Sequence, residues 1–358
     1  MAKVAESPEA AQVRAEAYMI RAYAYFMLVN LYGEPYDPAT ADMAKGVPLN
    51  DMVGAEDRKF QRASVAAVYK QITDDLAKAF ECFDVSGGGT SLFRWNAAAA
   101  TVFASRVALF MQDWEGTIRH ATAAWEDNPA LSDLKEQDIA TFFFDKANPE
   151  ILFTFGPADN PYIRTDYGTY FASDDLVQTF ETGDLRTGES GVFIRYLEDY
   201  DSYLECKYFN SEWYFDFADR NVYGHAIRTA EALMNRAEAY AHTNETQKAL
   251  DDINNLRRNR FTAEDYTPLT AANGDLLTLI KQERRREFCF EQMRWFDLRR
   301  WGCPRIEHVF SPIEDDYNTH VTYVLEENDP AYTLPLPYAV KQYDTVEDIV
   351  RPQRSPVK

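Results

Sequence analysis

The sequence predicts a mostly α-helical protein with an irregular, aromatic-rich insert that contains short strands. Helical periodicity dominates both ends of the chain, whereas strand alternation and turn residues replace it between 151 and 224. With 358 residues and 46% hydrophobic content, the chain can build one large core or two modest cores. We therefore predict helical pairs over 1–150, the irregular region over 151–224, and a further helical region of the same domain over 225–358.

The helices of the first region follow from apolar residues at helical spacing, interrupted by turn residues. The first helix is stopped by Gly33 and Pro35, the second ends before three consecutive glycines, and Asn96 is placed to cap the third. The predicted helices cover, in order, 11–32, 59–83, 97–111 and 114–126. After them, the alternating residues I-L-F-T-F from Ile151 predict a strand.

Three more helices are predicted near the C-terminus, over 225–242, 246–260 and 275–301. In the last of them, four charged residues fall on the side that a helix should bury, and they are Arg284, Glu287, Glu291 and Arg294. A solvated charged stripe is the alternative. It would leave the neighbouring aromatic residues without a buried place, so we expect a buried alternating Arg/Glu ladder with a structural role.

The irregular region is rich in aromatic residues. Between Tyr162 and Tyr223 there are nine Tyr, six Phe and one Trp in 62 residues, about 26%, against 14% for the whole chain. Long irregular segments on a rigid helical frame are where binding surfaces usually lie. This region is therefore the first place to look for a ligand.

Charge and composition exclude several classes of function. A net charge of −21 argues against nucleic acid and anionic lipid as partners. The five histidines are scattered, and no metal-binding, nucleotide-binding or hydrolase motif occurs, so we expect no catalytic residues, no metal and no cofactor. The four cysteines lack paired spacing, and we expect them to be unpaired.

Three segments carry a family resemblance. They are RAEAYMIRAYAYFMLVNLYGEPY at 14–36, LMNRAEAYAHTNETQKALDDINNLRRNR at 233–260 and ERRREFCFEQMRWFDLRRWG at 283–302. Their order and spacing are similar to the conserved blocks of the SusD/RagB family of nutrient-binding outer-membrane lipoproteins. The stretch YTLPLPYAVKQ at 332–342 resembles the strand and turn that close the family's domain.

The resemblance implies tetratricopeptide-like helix pairs that form an α-α superhelix, although the tetratricopeptide consensus is not matched. It also implies a surface-exposed protein of the outer membrane that delivers a glycan, or less often a peptide, to a TonB-dependent SusC-like transporter. Family members carry a signal peptide and a lipid-accepting cysteine, whereas the first cysteine here is Cys82, inside a predicted helix. We therefore expect that the chain lacks the family's N-terminal portion.

Candidate ligand contacts follow from the chemistry of sugars, whose apolar C–H faces stack on aromatic rings while polar groups bind their hydroxyls. Two segments, 160–170 and 210–217, combine aromatic and polar residues in this way. The predicted binding residues are Tyr162, Arg164, Asp166, Tyr167, Tyr170, Trp213 and Tyr214. For any one of these aromatics, core packing is the alternative. The loop 34–57 is a second candidate rim of the site.

Two other functions stay open at this point. An α-helical glycoside hydrolase is one, although a chain with 58 acidic residues always supplies some carboxylate pair. A helical-repeat adaptor that binds protein through a groove is the other. Non-enzymatic binding of a glycan is the function that the resemblance favours.

Overall fold

The computed structural model describes residues 7–50, 54, 59–137, 143–145, 147–155, 164–165, 168–169, 171–198, 201–207, 225–310, 321–343, 346 and 348–350. The helices are α1 Pro8–Tyr32, α2 Val65–Ser86, α3 Ala97–Phe110, α4 Trp114–Asp127, α5 Asp174–Val177, α6 Thr229–His242, α7 Thr246–Arg258, α8 Leu276–Glu287, α9 Arg294–Arg300 and α10 Tyr338–Tyr343. The strands are β1 Ile151–Phe155, β2 Arg164–Thr165, β3 Gly168–Thr169, β4 Ile194–Leu197, β5 Ser202–Glu205, β6 His225–Arg228, β7 Ile306–Phe310 and β8 Val321–Leu325.

The chain forms two compact units. The first comprises Met1–Met19 and Leu76–Met293, and the second comprises Ile20–Asp75 and Arg294–Lys358. The predicted fold class, mostly helical with short strands in the insert, is confirmed. The predicted division into regions 1–150, 151–224 and 225–358 stays a prediction.

Paired helices build most of the first unit. Helix α3 packs on α4 and α6, α4 also packs on α6, and α6 packs on α7. The predicted cap of α3 is confirmed, because the Asn96 side chain accepts a hydrogen bond from the Ala99 N–H at 2.9 Å. Asp113 caps α4 in the same way through the Gly116 N–H. Where α6, α7 and α8 meet, Ile253 and Ile280 are fully buried.

A second hydrophobic cluster of the first unit lies beneath the insert. It contains the buried rings of Phe143, Phe144 and Phe193, together with Ile151 at the start of β1. The rings of Phe143 and Phe193 meet edge to face, with centroids 4.7 Å apart. The start of β1 and the residues that lead into β4 therefore pack in one aromatic core.

Two of the predicted C-terminal helices differ from the observed ones. The segment His225–Arg228 is strand β6, which pairs antiparallel with β1, so the helix begins only at Thr229. The long helix predicted over 275–301 is interrupted between α8 and α9, because Phe290 and Gln292 have φ values of 62° and 59°, in the left-handed region. Helical periodicity alone does not show such a break.

The predicted closing strand in 332–342 is also wrong. Residues 334–337 lie outside any strand, and α10 begins at Tyr338. In the second unit the strand pair is instead β7 with β8, whose register matches Ile306 to Leu325. None of the described helices combines the length and the apolar composition needed to cross a membrane.

A buried ionic network is centred on Glu287, at the end of α8. Its Oε1 accepts hydrogen bonds from Arg228 at 2.7 Å and Arg260 at 2.9 Å. Its Oε2 accepts from Arg260 at 3.0 Å and Arg186 at 3.1 Å. Burial alone would raise the pKa of Glu287, but the charges of Arg260 and Arg228 hold that pKa well below its usual range. Glu287 is therefore ionised.

Two further carboxylates share the same arginines. Glu150 accepts from Arg228 at 2.8 Å and from Arg260 at 2.6 Å. Glu291 accepts from Arg228 at 2.8 Å and from the Lys207 ammonium at 2.5 Å. Arg228 thus contacts three carboxylates while its guanidinium lies over buried rings. A charge buried in this way is tolerated because opposite charges and hydrogen bonds satisfy it.

A second branch of the network is built on Glu283, one turn before the end of α8. Glu283 forms ion pairs with Arg186 at 2.7 Å, Arg286 at 2.6 Å and Arg257 at 2.9 Å. Arg186 is also paired with Asp184 at 2.7 Å. Six carboxylates therefore meet six basic groups among the described residues: Glu150, Glu181, Asp184, Glu283, Glu287 and Glu291 with Arg186, Lys207, Arg228, Arg257, Arg260 and Arg286.

The predicted alternating ladder is therefore wrong in its pairing, although Arg284 and Glu287 are fully buried as expected. Glu287 and Glu291 bind basic groups from other elements, and Arg284 donates to the Asn235 side chain at 2.8 Å. Arg294 lies beyond the interruption, is exposed, and places its guanidinium over the Trp301 ring. The network instead fastens α8 to both borders of the insert, through Glu150 before β1 and Arg228 at the end of β6.

Candidate ligand-binding surface

The described part of the insert contains three antiparallel strand pairs and the short helix α5. Strand β1 pairs with β6, so the insert leaves and returns to the helical frame at one place. The hairpin β2–β3 pairs Arg164 with Thr169. The hairpin β4–β5 pairs Ile194 with Glu205, and Phe171 forms a bridge to Leu204 on the other edge of β5.

The predicted binding residues fall mostly outside the described residues. Only the backbone of Arg164 is described, in β2. The others lie beyond the described part of the chain, and they are Tyr162, Asp166, Tyr167, Tyr170, Trp213 and Tyr214. These seven positions stay predictions.

A row of stacked rings leads to the base of the insert. Trp95 stacks on Phe153 with centroids 4.3 Å apart, Phe153 stacks on Phe155 at 5.3 Å, and Phe155 stacks on His225 at 5.4 Å. Burial lowers the pKa of His225, and the charge of Glu291 opposes the shift only in part. His225 is therefore a neutral ring at pH 7 and acts as a packing partner at this position.

Hairpin β4–β5 carries a pair of tyrosines that the sequence reasoning missed. Tyr196 and Tyr203 are directly opposite in the register, and their centroids are 5.3 Å apart with ring planes at 58°. The Tyr196 hydroxyl donates to Asp201 Oδ1 at 2.8 Å. The signal was present in the sequence, since V-F-I-R-Y-L at 192–197, which is rich in β-branched and aromatic residues, and Y-L at 203–204 flank the turn-forming E-D-Y-D at 198–201.

Each unit also has an open cavity among its described residues. In the first unit, a cavity of about 400 Å³ lies between the start of α1 and the loop before α3, where Gln12, Arg94 and Trp95 line it. In the second unit, a cavity of about 550 Å³ is lined by Glu34 and Met43, from the loop that was the second candidate rim. No ligand contact is assigned to that loop, which stays a candidate.

Histidines of the helical frame pack against rings. His120 stacks on Phe80 with centroids 6.2 Å apart, and His242 stacks on Trp114 at 3.9 Å. Within the described ranges, no group of three or more His, Cys, Asp or Glu side chains is arranged to hold a metal ion. All four cysteines carry free thiols.

Comparison with known families identifies the family to which the chain belongs. The profile described as the SusD family matches residues 161–354, and one described as "Starch-binding associating with outer membrane" matches residues 2–109. Because the first match covers more than half of the sequence, the chain belongs to the SusD family. The first match includes most of the aromatic-rich region and the charged segment of α8.

Solved structures show the same fold. A putative sugar-binding protein from Bacteroides vulgatus is 22% identical, with a TM-score of 0.75 over 96% of this chain and 79% of that one. A SusD superfamily protein from Bacteroides thetaiotaomicron is 21% identical, with a TM-score of 0.77 over 98% and 80% of the two chains. Another from Bacteroides vulgatus is 19% identical, with a TM-score of 0.78 over 98% and 80%. No curated protein sequence matches the chain.

Proposed function

We propose that this protein binds a glycan, or a peptide, at the cell surface without chemically changing it, and passes it to a TonB-dependent SusC-like transporter in the outer membrane. The observation that carries the proposal is the SusD family match across 161–354, the part of the chain that bears the aromatic residues. The second profile's description adds starch binding and the outer membrane as properties of the matched family.

The arrangement of the first unit supports this function. The ionic network holds both borders of the insert on α8, and a stacked row of rings packs along β1 up to Phe155. A rigid frame under an aromatic surface suits the recognition of a ligand, because preorganised rings lose little entropy on binding. The carboxylates at the centre of the frame are paired and ionised, which suits a structural role better than proton transfer.

We further propose that the ligand stacks on the rings of the insert. The proposed contacts are Tyr162, Arg164, Asp166, Tyr167, Tyr170, Trp213 and Tyr214. Stacking on neutral rings depends little on screening, so affinity should change more with the length of the oligosaccharide than with salt concentration.

Affinity electrophoresis with a panel of polysaccharides tests the binding. The panel contains amylopectin, hydroxyethylcellulose, laminarin, xyloglucan and polygalacturonate, and reducing ends are assayed in parallel. Retarded migration without release of reducing ends is the expected result. Steady release of reducing ends would instead establish a glycoside hydrolase, and no retardation by any member would contradict glycan binding.

The transporter partner is tested separately by affinity purification from detergent-solubilised outer membranes of the native host. Recovery of a TonB-dependent β-barrel together with this protein is the expected outcome. A soluble protein recovered in its place would favour the adaptor function.

A further inference from the structure

The hairpin β4–β5 presents two aromatic rings on one face. Tyr196 and Tyr203 are opposite each other, and cross-strand partners in an antiparallel pair point to the same side. Both side chains are partly exposed. On the other edge of β5, the Ala172 N–H donates to the Tyr203 carbonyl at 2.8 Å.

The two rings are held in position before any ligand arrives. Phe193 and Ile194 at the base of the hairpin are fully buried, and the Cys206 N–H donates to the Phe193 carbonyl at 2.8 Å. At the tip, the hydrogen bond from the Tyr196 hydroxyl to Asp201 fixes the direction of that ring. Rings fixed in this way lose little conformational entropy on binding.

The chemistry around the rings selects the class of ligand. At the tip, Glu198 and Asp201 are exposed and both acidic, and the half-buried Ser202 lies beside Asp201. Carboxylate and hydroxyl oxygens accept hydrogen bonds from sugar hydroxyls. Acidic groups at the rim repel uronic acids and sulfated sugars. The surface formed by the two rings and the acidic tip therefore suits a neutral sugar, whose C–H faces would lie on the rings.

We propose that Tyr196 and Tyr203 form a two-ring subsite for a neutral glycan, with Asp201 as the residue that positions the Tyr196 ring. This inference rests on the proposed function, because it names part of the surface that would hold the glycan and the charge class of that glycan. The centroid separation of 5.3 Å is comparable to the length of one sugar residue, so the rings can engage neighbouring units of one chain.

The turn at Asp201 allows a matched pair of variants. Asp201 has a φ of 44°, a left-handed conformation that Asn tolerates and that Gly adopts without strain. Asp201→Asn keeps the turn and an oxygen that accepts the Tyr196 hydroxyl. Asp201→Gly keeps the turn and removes the acceptor. Tyr196→Phe removes the same hydrogen bond from the other side and keeps the ring.

The experiment is affinity electrophoresis of the full chain with the same neutral polysaccharides and with polygalacturonate, and melting temperatures are recorded in parallel. Tyr203→Ala should weaken binding to the neutral polysaccharide about tenfold, as expected for an aromatic hot spot, and Tyr203→Phe should bind like the parent. Asp201→Gly and Tyr196→Phe should each weaken it about threefold, with no further loss in the double variant, because both remove one interaction. Asp201→Asn should bind more tightly than Asp201→Gly and about as tightly as the parent.

The outcomes separate this inference from the proposed function. If the parent chain binds a neutral polysaccharide and Tyr203→Ala binds equally well, the subsite is wrong while glycan binding stands. If only polygalacturonate retards the chain, the neutral class is wrong. Equal loss in Asp201→Gly and Asp201→Asn would overturn the positioning role. If no polysaccharide is retarded, both proposals fail together.

Discussion

Arg228 and Arg260 of the first unit and Arg299 of the second unit are buried in different surroundings. In the first unit, Arg228 and Arg260 pair with carboxylates, and Arg228 touches three of them. In the second unit, Arg299 is 2% exposed, yet no carboxylate among the described residues pairs with it. Its Nη2 donates to the Gly33 carbonyl and the Thr333 hydroxyl, while its Nε and Nη1 have no hydrogen-bond partner there. The charges of Arg228 and Arg260 are thus neutralised by carboxylates, whereas the charge of Arg299 is only solvated by a backbone and a hydroxyl oxygen.

The groups that surround each arginine determine the direction in which its pKa is shifted. Gly33 directly follows the last residue of α1, and its N–H donates to the Val29 carbonyl. A Cβ at that position would lie 2.8 Å from this carbonyl, so the backbone there is packed too closely for a side chain. A cation at the last carbonyls of a helix is favourable, but it is worth less than a carboxylate partner. Burial accordingly lowers the pKa of Arg299 to about 10, only partly offset by Cys303 and Tyr69. The pKa of Arg228 is raised despite its burial, because Glu291, Glu287 and Glu150 surround it.

Removing the central carboxylate should have the largest effect. Glu287→Ala leaves Arg186, Arg228 and Arg260 buried with less opposite charge, and the loss of one partner of a buried pair costs about 3–5 kcal/mol. Chemical denaturation should show this fall in the free energy of unfolding, or the variant should fail to fold. Where enough folded protein is recovered, its glycan affinity should be close to that of the parent. Unchanged stability with lost binding would place Glu287 in the binding site.

Acid should break the same network. Burial by itself would raise the pKa values of Glu283, Glu287 and Glu291, but neighbouring basic charges hold them below the usual range. Depressed carboxyl pKa values give stability that is fully present above the unfolded pKa and is lost progressively as pH falls from the unfolded pKa through the folded pKa. Below about pH 4.3, these three groups should together lower the unfolding free energy by up to about 4 kcal/mol per pH unit. Glu287→Gln has one titrating carboxylate fewer, so its unfolding free energy should fall less steeply with pH than that of the parent. An equal slope in both proteins would exclude Glu287 from the acid response.

Replacing the unpaired arginine should have a much smaller effect. Arg299→Met removes a poorly satisfied charge, and the Gly33 carbonyl keeps its hydrogen bond from Thr333. The change in unfolding free energy should lie between about zero and 2 kcal/mol of stabilisation. The matched control is Arg260→Met, which leaves Glu150 and Glu287 short of a partner and should cost about 3 kcal/mol or more. Equal losses in both variants would contradict the comparison.

The smallest expected effect is at alkaline pH. Arg299 is a base whose folded-state pKa of about 10 is below its ordinary value. It therefore costs stability while it is charged in both states, and the folded state sheds that cost as pH rises through 10. The advantage of Arg299→Met over the parent should shrink by about 1 kcal/mol between pH 9 and pH 11. Urea denaturation measures the unfolding free energy of both proteins at each pH, and the contributions of the titrating groups that they share cancel in the difference. A stability advantage of Arg299→Met that grows with pH would contradict the lowered pKa of Arg299.

Much of the fold was predictable from the sequence, and two of the failures have separate causes. The helices α1, α3 and α4 were predicted within a few residues, because apolar spacing and caps such as Asn96 are local signals. Strand β6 was mistaken for helix, since its partner β1 lies far away in the chain. The end of α8 was missed because left-handed residues at Phe290 and Gln292 do not disturb the periodicity of the letters.

The candidate site was predictable only in its location. The aromatic content of 151–224 pointed to the region, and the family match covers most of it. The pairing of Tyr196 with Tyr203 needed the hairpin register, because a shift of one residue would turn the two rings to opposite faces. The seven residues predicted from composition stay a proposal, since composition does not state which rings share a face.

The sequence alone determined the family, the helical character and the presence of buried charge at the end of α8, because these depend on residues near each other in the chain. Only the tertiary structure decided which groups neutralise that charge. Arg186 and Glu287 are 101 residues apart, and Arg228 and Glu150 are 78 apart, so no local pattern couples them. A buried ion pair is specified by where the packed elements place two side chains, and burial in a medium of low polarity makes that placement obligatory.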